Sequence, residues 1–210
     1  KVRTFEIGYR TSLFNAIYAD LGFYYSRYQD FIGYQIGVDA FIPQGSVLPT
    51  TVQAYRVSAN AKDVVTTQGF SIGLNYFFNR YYQLRGNYSW NVLNTQTDDP
   101  IIPAFNTPEH KYNIGLSGRD IEFLGIRNLG FNINYKWIQG FVFEGSPQFT
   151  GFIPSYSLTD AQVNWNWKSM NTTLKFGASN VFNQRSYQTY GGPLIGRLAY
   201  FTVLYEFKKS

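Results

Sequence analysis

The sequence has 210 residues, of which 44% are hydrophobic, 20% aromatic and only 15% charged, with a net charge of +5 and no cysteine. So much apolar material with so little net charge excludes a disordered chain, and the missing cysteines exclude a disulfide scaffold, a thiolate zinc site and a cysteine nucleophile. A helical membrane protein is also excluded, because no run approaches the ~18 apolar residues that a membrane-spanning helix needs and the mean hydropathy of −0.24 lies on the soluble side.

Alternation of apolar and polar residues with a period of two runs through the whole chain. Leu129, Phe131, Ile133, Tyr135 and Trp137, for example, are separated by glycine, asparagine and lysine. Successive side chains of a strand face opposite sides, so this period predicts strands and not helices. In chain order, the predicted strands cover residues 3–10, 13–27, 53–78, 81–93, 109–120, 128–143, 156–168, 172–183 and 196–207.

The connections between these strands alternate in length. Alternating short and long connections are typical of an outer-membrane barrel, which has tight periplasmic turns and long extracellular loops. The first and the last strand are therefore expected to run towards the periplasm, and the long third strand is expected to bend near residues 63–67. The short connections lie at Ser12, 79–80, 120–127 and 169–171, and the long ones at 28–52, 94–108, 144–155 and 184–195.

The apolar face of such a sheet has two interpretations. In a soluble sandwich it packs on a second sheet, whereas in a membrane barrel it faces lipid and the polar face lines the lumen. Long strands, aromatic residues near strand ends (Tyr24, Tyr25, Trp165 and Trp167) and a polar face rich in glycine, asparagine and serine favour the second. We predict an all-β, antiparallel transmembrane β-barrel.

Nine predicted strands do not close into a barrel of the usual kind. Single-chain bacterial barrels have even strand numbers, and an open sheet would leave two unpaired edges, which lipid does not tolerate. The remaining options are one unrecognised strand or a chain that is part of a larger barrel.

Five short motifs favour the larger barrel. They are T-F-E-I-G-Y-R at residues 4–10, Y-x-x-x-Y-x-D-F-I at 24–32, N-x-P-x-H-K at 106–111, S-N-V-F-N-Q at 179–184 and P-x-x-G-R at 193–197. Their order resembles the later part of the barrel of TonB-dependent outer-membrane receptors, with a style closest to those of Bacteroidota. Lys208–Ser210 departs from the family, whose members usually end on the aromatic residue.

This resemblance implies that residues 1–210 are the last nine strands of a 22-stranded barrel, which needs on the order of 500 residues. The N-terminal plug domain and the earlier strands would then lie outside this chain. The implied function is active uptake of a scarce nutrient (siderophore, cobalamin, glycan or peptide) across the bacterial outer membrane, with energy relayed by TonB. No bond is made or broken, so an enzyme is not expected.

The resemblance also implies the partners. These are outer-membrane lipid and lipopolysaccharide, the TonB complex through the absent N-terminal part, the barrel-assembly machinery and, for a glycan or peptide receptor, a surface lipoprotein lid. Scattered basic residues do not predict nucleic-acid binding, and no cofactor is expected. The residues implied as the assembly signal are Phe201, Val203, Tyr205 and Phe207.

Charged residues on the predicted polar face are expected to hold the plug, and residues near the extracellular strand ends are expected to contact substrate. The first set is Asp20, Arg85, Arg119, Lys136, Asp160, Lys168, Lys175 and Glu206. The second set is Arg56, Asn91, Lys111, Asp160, Arg185, Tyr187, Tyr190 and Arg197.

Other functions have weaker support. A complete small barrel of eight or ten strands could act as an adhesin or a passive pore. An outer-membrane enzyme needs convergent catalytic groups at the rim, whereas His110 is the only histidine and has no evident partner. Asp98 and Asp99 with Asn94 do not have the spacing of a defined calcium loop.

Overall fold

The computed structural model describes residues 1–94, 101, 105–144 and 150–207. Asp98, Asp99 and Lys208–Ser210 lie outside these residues. Within the described part, no helix has the length and apolar character needed to cross a membrane. The strands are β1 (Val2–Leu13), β2 (Ile17–Tyr28), β3 (Ile32–Phe41), β4 (Thr51–Asn60), β5 (Val65–Phe77), β6 (Tyr82–Asn94), β7 (His110–Phe123), β8 (Ile126–Ile138), β9 (Phe141–Phe143), β10 (Gly151–Ile153), β11 (Tyr156–Trp167), β12 (Thr172–Ser179) and β13 (Leu198–Tyr205).

Nine of these strands form one antiparallel sheet in the order β1-β2-β5-β6-β7-β8-β11-β12-β13. Each strand pairs with the neighbours that precede and follow it in the sheet, so the chain runs up and down as a meander with two inserted hairpins, β3–β4 and β9–β10. The prediction of a nine-stranded antiparallel sheet is confirmed. The sheet is open, with β1 and β13 as its edges.

The short connections lie at one end of the sheet and the long ones at the other. Between β1 and β2, Phe14 and Asn15 both have positive φ angles, of 53° and 51°, and the Ala16 N–H donates to the Leu13 carbonyl at 3.1 Å. Positive φ angles at both central residues of the four-residue turn 13–16 are those of a type I′ turn, whose twist matches that of the flanking strands. The predicted alternation of short and long connections is therefore confirmed.

The prediction of a single third strand over residues 53–78 is wrong. It is divided at residues 61–64 into β4 and β5, and β4 pairs with β3, which lies in the predicted long connection. Ala61 and Val65 are buried where the chain turns between the two strands, and the Ala61 N–H donates to the Phe31 carbonyl at 2.8 Å. Alternation continues through β4 because a hairpin outside the sheet has the same period as a strand within it.

Several other boundaries differ from the prediction. Ser12, predicted as a connection, lies within β1, β2 begins at Ile17 and not at residue 13, and β7 continues to Phe123 beyond the predicted end at residue 120. The predicted strand 128–143 ends at Ile138, and the strand 172–183 ends at Ser179. The last strand begins at Leu198 and not at residue 196. Beyond β8, the Gly140 N–H donates to the Ser155 hydroxyl at 2.7 Å, which turns the chain into the β9–β10 hairpin.

The two faces of the sheet differ in chemistry. Residues that oppose each other directly across an antiparallel pair share a face, so the pairing traces apolar rows across the sheet. Side chains of this apolar face are largely exposed, for example Ile7 at 61% and Phe176 at 60%, and so large a patch indicates contact with another apolar phase. One such row is Tyr9, Leu21, Ile72, Tyr88, Tyr112 and Trp137.

Candidate functional site

The polar face forms a wall rich in amide side chains. Asn75, Arg85 and Asn134 lie in one row across β5, β6 and β8, and the next row contains Asn87 and Asn113. The Asn113 amide donates to the Asn87 side-chain oxygen at 2.7 Å. A groove of about 610 Å³ runs along these residues. Such a wall offers hydrogen bonds to a hydrated or polar occupant.

Tyr24 crosses a neighbouring strand to reach Asn91. Its hydroxyl donates to the Asn91 side-chain oxygen at 3.0 Å, and the ring passes over Gly69 of the intervening strand. A Cβ at Gly69 would lie 2.7 Å from the Tyr24 ring and 2.5 Å from the Trp90 carbonyl oxygen. Only glycine leaves room for this crossing, so three adjacent strands together fix the position of Asn91.

The same arrangement occurs at the other edge of the sheet. The Tyr200 hydroxyl of β13 donates to the Gln162 side-chain oxygen of β11 at 2.9 Å. The ring crosses Gly177 of β12, where a Cβ would lie 2.5 Å from the hydroxyl oxygen. Arg85 likewise lies over Gly115, with its Nε atom 2.9 Å from the position of a Cβ. Long side chains of the polar face therefore lie flat along the wall.

The charged residues predicted on the polar face lie on strands or turns of that face. Asp20 forms an ion pair with Arg10 of the neighbouring strand. Arg119 lies at the short-connection end, where its Nε donates to the Arg80 carbonyl at 3.0 Å. Lys175 lies between Asn164 and Thr202 in the pairing. Their role in holding a plug stays a prediction.

Asn180 organises the long connection between β12 and β13. It is 5% exposed and has a φ of 53°. Its amide nitrogen donates to the Gln184 carbonyl at 2.7 Å, and its side-chain oxygen accepts the Gln184 N–H at 2.9 Å. Its own N–H donates to the Asp160 carboxylate at 2.9 Å. Asp160, predicted as a substrate contact, therefore anchors this connection.

Arg197 has a similar anchoring role at the other end of the connection. Its N–H donates to the Asn183 side-chain oxygen at 2.9 Å, and its guanidinium donates to the Val181 carbonyl at 3.3 Å. The Tyr190 ring packs so closely against Gly151 of the β9–β10 hairpin that a Cβ there would clash with the ring. Both side chains hold the connection in place.

The other predicted substrate contacts fall into two groups. Asn91 and Lys111 lie on the polar face of the adjacent strands β6 and β7. Arg185 and Tyr187 are exposed in the β12–β13 connection. Arg56 is separate from both groups, because it lies on the β3–β4 hairpin with its guanidinium carbon 3.7 Å from the centre of the Tyr34 ring. The role of these residues in substrate binding stays a prediction.

His110 belongs to a hydrogen-bonded group on the apolar face, at the first residue of β7. Its Nδ1 lies 2.6 Å from the Tyr88 hydroxyl, and its Nε2 lies 3.7 Å from the Glu109 carboxylate. The Trp90 indole donates to the same carboxylate at 3.0 Å. This group orients aromatic side chains at the end of the apolar face. Among the described residues, no cluster of histidine, aspartate and glutamate could hold a metal ion.

Glu144 and Asn106 join two long connections. The Glu144 N–H donates to the Asn106 side-chain oxygen at 2.7 Å, and the Asn106 amide donates to the Glu144 carbonyl at 2.9 Å. Burial raises the pKa of the Glu144 carboxyl above its ordinary value of 4.5. The residue whose backbone makes this contact therefore carries a carboxyl group whose charged form is disfavoured by burial.

The residues implied as the assembly signal lie on the apolar side of the last strand. Phe201 and Val203 oppose Phe176 and Leu174 across the pair β12–β13. The Tyr205 and Phe207 rings pack edge to face, with centroids 4.9 Å apart. All four side chains are exposed, and their recognition by another protein stays a prediction.

The roles of several residues of the wall and its connections were not predicted. They are those of Tyr200, Asn180 and the amide row from Asn75 to Asn134. Tyr24, named above among the aromatic residues that favour a membrane barrel, lies on the polar face. The sequence does contain one signal for the crossings, since Gly69 and Gly177 occupy polar-face positions of strands adjacent to these tyrosines. Recognising the crossings from these glycines requires knowledge of which residues pair across the strands.

Comparison with known proteins gives a consistent result. The family model for the TonB dependent receptor-like β-barrel matches residues 1–181, and no curated protein sequence matches the chain. The FrpB iron transporter from Neisseria meningitidis (F3-3 variant) has a similar structure, with a TM-score of 0.68 and 18% identity over 98% of this chain and 30% of the transporter.

Two other solved structures are similar to the same extent. The copper transporter OprC gives a TM-score of 0.72 and 12% identity over 96% of this chain and 30% of that protein. The siderophore receptor PiuA from Acinetobacter baumannii gives a TM-score of 0.64 and 17% identity over 96% of this chain and 28% of that receptor. At these identities the likeness shows the fold alone. The chain spans less than a third of the length of these proteins.

Proposed function

The chain belongs to the TonB-dependent receptor family, whose β-barrel model it matches over residues 1–181, and from this premise we propose that it forms the C-terminal part of a barrel for active nutrient uptake. The family consists of receptors and transporters of the bacterial outer membrane and not of enzymes. Uptake in this proposal uses energy relayed by TonB and breaks no bond.

The observation that supports this proposal is the two-faced nine-stranded sheet. Its exposed apolar face suits lipid, and its amide-rich face suits the lumen of a transport barrel. Within lipid, unpaired backbone groups at β1 and β13 would be costly. Further strands that pair with both edges would complete a barrel, which supports the assignment of residues 1–210 to the last nine of 22 strands.

The parts of this chain would contribute differently to uptake. The amide-rich wall would line the lumen and contact a plug domain supplied by another part of the receptor. The long connections would face the cell exterior and bind the nutrient through Arg56, Lys111, Arg185 and Tyr187. Contact with TonB would be made outside this chain.

The class of nutrient is a siderophore, cobalamin, glycan or peptide. The similar solved structures carry the names of iron, copper and siderophore transporters or receptors, which supports a metal chelate as the first nutrient to test. A glycan or peptide receptor would in addition use a lipoprotein lid over the long connections. Insertion would use the barrel-assembly machinery, with Phe201, Val203, Tyr205 and Phe207 as its signal.

The test is uptake of a labelled ferric siderophore, cobalamin, glycan or peptide by cells that produce the full-length receptor, with and without TonB. We expect accumulation of one nutrient that requires both proteins. Accumulation that does not need TonB would contradict the proposal and would indicate a passive pore. An intact gene product of only ~24 kDa in native membranes would contradict the assignment to a larger barrel.

Lys111→Gln gives a sharper test within the same experiment. It removes one positive charge from the polar face near the long connections, and nutrient binding should weaken about three- to tenfold if the nutrient is anionic. Arg127→Gln is the matched control. Arg127 lies at the short-connection end and forms an ion pair with Glu122 at 3.0 Å, so its loss should leave nutrient binding unchanged.

A further inference from the structure

Two arginines face each other on the apolar side of the first strand pair. Arg3 of β1 lies directly opposite Arg27 of β2, and both are exposed. Like charges in this position destabilise an antiparallel pair. Neither guanidinium takes part in an ion pair or a side-chain hydrogen bond within the described residues. Within the part of the chain that the structure describes, these two like charges therefore have no counter-charge beside them.

The position of the pair along the strands coincides with the edge of the apolar face. Below it, the pairs Phe5–Tyr25 and Ile7–Phe23 continue the apolar column towards Leu13. From Leu13 to Arg3 the strand rises about 34 Å at about 3.4 Å per residue. At a tilt of about 40° this is about 26 Å along the membrane normal, close to the ~25 Å height of an outer-membrane apolar band.

The arginine pair therefore lies at the boundary between hydrocarbon and headgroups, at the end of the sheet with the long connections. The opposite face at this level is occupied by Thr4 and Ser26, whose hydroxyl oxygens are 3.0 Å apart. Because neighbouring residues of a strand face opposite sides, an occupant of the lumen cannot reach the arginine pair. From the lipid side, by contrast, both guanidinium groups are accessible.

We propose that Arg3 and Arg27 bind a phosphate group of a phosphorylated glycolipid of the outer leaflet, lipopolysaccharide. A guanidinium group binds phosphate through two parallel hydrogen bonds, and a phosphate between the two side chains removes their repulsion. Phe5 and Tyr25 lie one pair further into the apolar face, where their rings contact the acyl chains. The site depends on the proposed membrane orientation of the sheet, and it is independent of the nutrient.

The test uses the full-length receptor, purified in a non-ionic detergent and titrated with lipid A probes in native mass spectrometry. We expect diphosphorylated lipid A to bind, fully dephosphorylated lipid A to bind at least about tenfold more weakly, and inorganic phosphate not to compete. The double variant Arg3→Gln/Arg27→Gln should lose about tenfold or more in affinity for the diphosphorylated probe.

Arg127→Gln is again the matched control, because it removes an arginine at the opposite end of the sheet, where Glu122 already supplies the counter-charge. It should bind the diphosphorylated probe like the unmodified receptor. Equal affinity of the double variant and the unmodified receptor would overturn the site. Equal binding of the dephosphorylated probe, or displacement by inorganic phosphate, would overturn its assignment to a phosphorylated lipid.

Folding is checked by the heat-dependent gel mobility of each variant. If the glutamine variant does not fold, Arg3→Lys/Arg27→Lys keeps both charges and removes the paired hydrogen bonds of the guanidinium. It should bind the diphosphorylated probe several-fold more weakly, and unchanged affinity would overturn the phosphate clamp. Nutrient uptake is measured separately, so a failure of the transport proposal is distinguishable from a failure of this site.

Discussion

Gly69→Ala should destabilise the receptor far more than an ordinary glycine-to-alanine change in a strand. The new Cβ would lie 2.5 Å from the Trp90 carbonyl oxygen and 2.7 Å from the Tyr24 ring, whereas ordinary contacts begin at 3.4 Å. The carbonyl belongs to the paired backbone and cannot rotate away. The Tyr24 ring must move, which breaks its hydrogen bond to Asn91.

The expected loss has two parts. Overpacking against a fixed backbone costs about 1–3 kcal/mol, and the broken hydrogen bond adds about 1 kcal/mol. We therefore expect a loss of about 2–4 kcal/mol in the free energy of unfolding for Gly69→Ala. Tyr24→Phe alone should lose only about 1 kcal/mol, because it removes the hydroxyl and keeps the packing of the ring.

The assay is equilibrium unfolding of the full-length receptor in urea, followed by tryptophan fluorescence. Gly8→Ala is the matched control, because Gly8 lies on the same face of the sheet and a Cβ there meets nothing closer than the Leu21 carbonyl oxygen at 3.7 Å. It should change stability by less than about 0.5 kcal/mol. Equal stability of the Gly69 and Gly8 variants would refute the crossing of Tyr24 over Gly69.

Three further predictions concern the connections and the two faces. Asn180→Ala removes both hydrogen bonds to Gln184 and should make residues 180–197 a target of limited proteolysis, at a cost of about 2–3 kcal/mol in unfolding free energy. Because burial raises the pKa of Glu144, its folded form binds a proton more tightly than its unfolded form. The stability of the contact with the neighbouring connection should then fall as the pH rises through that raised pKa; hydrogen exchange should show this dependence, and Glu144→Gln should abolish it. Phe176→Arg, on the apolar face, should cost about 2–4 kcal/mol in a lipid bilayer, whereas Asn166→Arg on the polar face of the adjacent strand β11, opposite the uncharged Thr173, should be tolerated. Equal losses in urea unfolding would contradict the assignment of the faces.

The main sheet was predictable because its signal is local. Each strand of a two-faced sheet shows the period of two by itself, so β6 and β11 were predicted to within one residue at each end. The β3–β4 hairpin was missed for the same reason, since Tyr55 and Val57 alternate as residues of the main sheet do. Periodicity identifies a strand and does not identify its neighbour.

The wall of the candidate site depends on information that is not local. Asp160 was predicted on the polar face, but its bond to the N–H of Asn180 depends on a turn with positive φ. The crossing from Tyr24 to Asn91 depends on the register of three strands, and a slip of one residue would move every side chain to the other face. Such contacts follow from pairing and not from composition.

The flat arrangement of Tyr24, Tyr200 and Arg85 has a consequence for movement through the lumen. The hydroxyls of Tyr24 and Tyr200 donate to neighbouring side chains of the wall, and the Asn113 amide donates to Asn87. An occupant of the proposed lumen therefore meets a polar wall on which these groups already have partners. Such an occupant can move along the wall without breaking a strong hydrogen bond at each step. Tight binding is then left to the long connections at the rim.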